Sequence, residues 1–122
     1  MPQLKLNILF IALIGIITLM PNNSKAQAPT PAQKHKAEIC EQVYKKVVAT
    51  VGDARQAPVL VFAHNKTEQE NYTTYYNPKR NSIIVGEGIY NIARTFGEDS
   101  LNALAFVVGH ELAHYYKGHG WG

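Results

Sequence analysis

The chain has 122 residues, 46% of them apolar and 17% charged, with a formal net charge of +3, which allows one small globular domain. Two of its twelve basic side chains, Lys5 and Lys25, lie in the N-terminal segment, leaving ten against nine acidic ones elsewhere, so a nucleic-acid surface is not expected. The single Cys40 excludes an internal disulfide, and the folded part must hold together through its core alone.

In chain order, Met1 to Leu6 carry one positive side chain, Lys5. Ile8 to Met20 are an apolar run broken only by Gly15 and Thr18, and polar Asn22 to Ala26 follow. This is the three-part layout of a secretory signal peptide, residues 1–26, with Ser24 and Ala26 suiting cleavage after Ala26. The apolar run is short for a membrane span. Export to the periplasm or secretion is therefore expected. The alternative is an uncleaved segment tethering the protein to a membrane by Ile8–Met20, and contact with a membrane is expected only in that case. Gln27–Gln33, with Pro29 and Pro31, reads as an extended linker, and residues 34–122 as the folded region.

From Ala32 to Val51 the apolar positions fall at Ala37, Cys40, Val43, Tyr44, Val47, Val48 and Val51. That spacing predicts an amphipathic helix stopped by Gly52, with Cys40 as a small buried hydrophobe rather than a catalytic thiol. Val59–Ala63 reads as a buried strand after Pro58, and His64 as a solvated strand-end histidine. Lys66–Glu70 is a charged turn. Tyr72–Tyr76, the turn residues Asn77–Asn81 and Ser82–Val85 make a β-hairpin. Ile89, Ile92, Ala93 and Phe96 predict a short helix ended by Gly97. A long helix then runs from Asp99 or Ser100 to about Lys117, with Gly118 as its stop. The fold class is α+β: N-terminal helix, small sheet with a hairpin, short helix, long helix.

That last helix carries His110-Glu-Leu-Ala-His114. Histidines four apart project from one helix face, where two imidazoles can share one Zn²⁺ at about 2.0–2.1 Å each. Glu111 leans to the side of the ion and can act as general base on water activated by the metal. The spacing is that of zinc-dependent hydrolases. The apolar stretch Leu101–Gly109 before it predicts a helix buried over much of its circumference, where ionisable side chains are costly unless something binds them.

The order of parts, with Asn77-Pro-x-x-x-Ser-Ile-Ile-Val85-x-x-Gly88-Ile followed by His110-Glu-Leu-Ala-His114-x-x-x-x-His119, resembles the N-terminal half of the catalytic domain of HtpX-like and CAAX prenyl endopeptidase metallopeptidases. The likeness covers roughly residues 57–119 in layout, and Ile83 to His119 carry its specific part. The resemblance implies a gluzincin: His110 and His114 as ligands of one Zn²⁺, Glu111 as base, and a peptide or protein substrate held as an extended strand along a sheet edge. Tyr72–Tyr76 and Ser82–Val85 are both candidates for that edge. It further implies an exported endopeptidase acting in protein quality control. Such families take a third ligand, a glutamate, from a later helix. Here the sequence continues eight residues past His114, so a catalytic domain truncated after the motif helix is expected, with His119 the lesser candidate for third ligand. Two other readings remain: a non-catalytic exported or membrane-tethered metal-binding or interaction module, and an inactive fragment lacking the third ligand.

Overall fold

The computed structural model describes residues 28–64 and 66–118. The expected signal peptide and the third-ligand candidate His119 lie outside the described residues. Helix α1 spans Pro31–Val51. Its start is set by reciprocal bonds in which Gln33 N–H donates to Thr30 Oγ1 at 3.2 Å and Thr30 N–H donates to Gln33 Oε1 at 2.9 Å. With Pro31 preset for a first helical position, this capping box begins the helix inside the stretch expected to be extended. Such a cap is worth about 1 kcal/mol. Gly52, at φ 66°, ends the helix as expected.

After α1 come β1 (Val59–Ala63), the short α2 (Glu68–Asn71), β2 (Thr74–Asn77), β3 (Ser82–Gly86) and α3 (Glu87–Arg94). A 3-10 turn (Gly97–Asp99) then leads into α4 (Ser100–Tyr116). The sheet is mixed, in the order β1-β3-β2. β3 runs parallel to β1, with Val59 opposite Ser82, and antiparallel to β2, with Thr74 opposite Val85. The α+β class and the hairpin are thus as the sequence implied. The charged turn contains a helical turn, α2, capped by a second reciprocal pair between Thr67 and Glu70.

The helices cover one face of the sheet. Ile83 and Val85 of β3 are fully buried with Cys40, Val43, Tyr44, Tyr90, Leu104, Val108 and Leu112. Among the described residues the opposite face is largely uncovered, with Val59 and Val61 of β1 and Tyr75 of β2 exposed there and Ala63 buried at its end. β1 is therefore a half-buried edge strand and not the buried strand that its uniform apolarity suggested. Only Leu60 and Phe62 turn inward, and Phe62 meets Tyr90 edge-on at 6.2 Å.

α3 departs in part from its expected face. Ala93 is buried and Ile89 packs on the core as expected, but Gly88 and Tyr90 are buried as well, whereas Ile92 and Phe96 are exposed. The cause is a close approach at its start, where a Cβ on Gly88 would lie 2.8 Å from both the Asn71 carbonyl oxygen and the Tyr72 ring. That contact turns Tyr90 rather than Ile92 toward the core. α4 buries a single stripe, Ser100, Leu104, Val108, Glu111 and Leu112, so it too departs from expectation. Leu101 and Phe106 are exposed, because one layer of partners covers only one side of the helix.

Candidate metal centre

The C-terminal half of α4 lies against β2. Its end is fixed by the loop after α1. There Arg55 donates to the Tyr116 carbonyl at 3.2 Å, places its guanidinium over the Tyr115 and Tyr116 rings, and is itself gripped by Asp53. Hydrogen bonds from Arg55 hold the Asp53 carboxyl down at about 2. Tyr115 Oη donates to the Gln56 carbonyl at 2.8 Å, and its ring meets that of Tyr76 on β2 at 5.7 Å. These contacts pin the last helical turn, which carries His114, against the edge of the sheet.

The two motif histidines converge as their spacing predicts. His110 Nε2 and His114 Nε2 stand 3.3 Å apart, with ring planes nearly perpendicular. Two nitrogens bound at about 2.0–2.1 Å to one tetrahedral ion are separated by roughly 3.3–3.4 Å, so the spacing of the pair is that of two ligands of one zinc. Glu111 is buried, at 7% exposure, and its Oε2 accepts the backbone N–H of Tyr76 at 3.0 Å. One donor atom from each of His110, Glu111 and His114 falls within 4.8 Å of the others. Among the described residues, no further His, Cys, Asp or Glu joins this cluster. His110 faces solvent, His114 is half-buried and Glu111 closes the inner side.

Residues that the sequence set aside stay aside. Cys40 is fully buried, and burial, with the Glu41 carboxylate adding to it, pushes its thiol up to about 12. A thiol so placed is an inert hydrophobe, as expected. His64 lies outside the cluster too, but it is half-buried at the end of β1 with its Nδ1 buried, not the solvated histidine expected. Of the two candidate substrate edges, Ser82–Val85 belongs to β3, which is central and has both edges paired. Among the described residues no strand pairs with the outer edge of β2, the edge on which the Tyr76 N–H meets Glu111.

Sequence reasoning missed the Tyr76 amide, because a backbone donor leaves no trace in residue type. It also missed a cavity beside the cluster, about 330 Å³, lined by Thr74, Ile89, Phe106 and Val107 together with His110 and Glu111. One signal was available: Phe106 lies four residues before His110 and so shares its helix face.

A family model described as peptidase family M48 matches residues 34–121. No curated protein and no solved structure matches the chain.

Proposed function

The chain belongs to peptidase family M48, a family of zinc-dependent peptidases, and from that premise we propose that it is an exported zinc endopeptidase with protein quality control as its setting. The observation that carries the reading is the 3.3 Å convergence of the two imidazole nitrogens beside a buried carboxylate.

In this reading His110 and His114 hold the ion through Nε2, and Glu111 is the general base. An ion held there would supply Lewis acidity for the scissile carbonyl and for the attacking water. Glu111 Oε2 is occupied by the Tyr76 N–H, which leaves Oε1 to take the proton of the attacking water. The same carboxyl then delivers that proton to the leaving amine. The bond between Tyr76 and Glu111 fixes the carboxylate's orientation before substrate arrives, the form of preorganisation on which proton transfer depends. A catalytic zinc takes three protein ligands. The resemblance implies a glutamate from a later helix as the third, and none of the described residues fills that place. A peptide extended along the free edge of β2 passes directly over Glu111.

Zinc content and casein hydrolysis, compared between the wild type and Glu111→Gln, test this. Expected are bound zinc in both proteins and hydrolysis only in the wild type. Equal hydrolysis by both would remove Glu111 from the role of base. Bound zinc with no hydrolysis by the wild type would favour a metal-binding module instead.

A further inference from the structure

The sheet has a second edge, formed by β1 on the side away from β2 and the histidine pair. Which groups β1 turns outward follows from one bond. The Val59 N–H donates to the Asn81 carbonyl at 3.1 Å and so faces β3. Along a strand the N–H and C=O of one residue point to the same neighbour, and successive residues alternate. Val59, Val61 and Ala63 therefore bond to β3, while Leu60 and Phe62 turn their N–H and C=O groups outward. Among the described residues no strand takes those four groups.

This edge carries none of the features that block pairing. Charges, prolines and bulges do so in most sheets. Val59–Ala63 has no charge, proline or glycine, and its register against β3 runs from end to end without a bulge. Val59 and Val61 are 65% and 43% exposed on the uncovered face. The edge is also self-complementary. A second copy turned antiparallel about Val61 sets Leu60 opposite the partner's Phe62, and Phe62 opposite the partner's Leu60. All four outward groups of each strand are then bonded. Val61 meets the partner's Val61 in a pair without hydrogen bonds, where side chains lie closest. A register centred on Leu60 would put Phe62 opposite Pro58, which has no N–H. One centred on Phe62 would put Leu60 opposite His64, beyond the strand.

We propose that the outer edge of β1 is a self-association surface, on which a second copy of the chain pairs antiparallel about Val61 and joins two three-stranded sheets into one. After residue 26 the chain has ten basic against nine acidic side chains, so two copies repel little. Strands of five residues give an interface at the small end of the specific range, below about 1,200 Å² in total, and the association is accordingly reversible. Both histidine pairs lie beside the far edges of the common sheet and stay open. The inference goes beyond the peptidase reading and does not depend on it.

Sedimentation of the full chain over a concentration series tests the association, and substitutions at residue 61 test its register. Val61 is exposed, so Lys or Glu is tolerated there by the monomer, as thermal unfolding at low concentration checks. Val61→Lys and Val61→Glu are each expected to weaken the dimer by about tenfold, because like charges meet on the axis. An equimolar mixture of the two is expected to regain it. Val61→Cys is expected to cross-link between copies under diamide, which takes up the two thiol hydrogens. Val59→Cys, which faces the partner's Ala63, is expected to stay uncross-linked. Cys40 is fully buried and does not compete. A chain that sediments as a monomer at every concentration overturns the inference. So does association indifferent to Lys or Glu at residue 61, or cross-linking as efficient from residue 59 as from residue 61.

Discussion

Replacing Glu111 by Gln and by Ala separates two jobs that the residue performs at once. Glu111 Oε2 is the acceptor for the Tyr76 N–H at 3.0 Å, and Tyr76 is itself buried. Ala leaves that donor without a partner, at a cost of about 1–3 kcal/mol. Gln keeps a carbonyl oxygen in the same place and gives up only the charge assistance, about 1 kcal/mol. Both substitutions remove the buried carboxylate and whatever its desolvation costs, so that effect cancels between them. The difference between the two variants therefore isolates the acceptor. Taking about 2 kcal/mol, the middle of that range, for Ala and about 1 for Gln, Gln should be the more stable by about 1 kcal/mol, or roughly 4–8 °C in Tm for a domain of this size. Urea and thermal unfolding of the two metal-free variants measure it. Hydrolysis should fall by about 10²–10⁴ in both, since neither can accept the proton. Equal stabilities for Gln and Ala would refute the bond, and with it the claim that the edge strand orients the base.

Other outcomes follow from the same geometry. Zinc at a hundred times its dissociation constant should stabilise the protein by about 2.7 kcal/mol; His110→Ala, His114→Ala or a chelator should erase that gain, as read by thermal unfolding. Gly109, one residue before the first histidine, has only Val47 Cγ1 near its missing Cβ, at 3.8 Å, an ordinary contact between α4 and α1. Gly109→Ala should therefore raise stability by about 0.8–1 kcal/mol through helix propensity, measured by urea unfolding, with zinc affinity unchanged. Cys40 holds its proton in the fold up to about 12, against an ordinary value of 9.0, so above 9 the unfolded chain binds fewer protons than the native one. Stability should then decline by up to about 1.4 kcal/mol per pH unit between those values. Cys40→Ala should flatten that decline, though not fully, because burial raises the Tyr44 hydroxyl as well.

Element existence was legible wherever a period repeats. The spacing of Cys40, Val43, Tyr44 and Val47 places α1, and the Asn77–Asn81 turn between two β-rich runs places the hairpin. The histidine pair was legible for the same reason, since helical geometry alone brings His110 and His114 together. Sidedness was not legible. Val59–Ala63 is apolar at every position, and only the sheet order leaves β1 at an edge with one face open. Ile92 looked like core because α3 is short, and an eight-residue helix can be turned by one docking contact, here that of Gly88 on Asn71 and Tyr72.

The same limit governed the site. A sequence names the side chains that can hold a metal, but an outward backbone N–H depends on the register of β2 against β3, which one residue of slip would reverse. Tyr76 donates to Glu111 because Thr74 sits opposite Val85. A slip by one would present Tyr75 to the helix instead and bring its ring to the place where the Tyr76 ring now meets Tyr115. The base is thus oriented by the hairpin, and the hairpin is held in register by the burial of Tyr76, Ile83 and Val85 on the helix side. Ile83 and Val85 are neither ligands nor base, yet their packing fixes which amide meets the carboxylate. The geometry of the centre therefore rests on ordinary core residues.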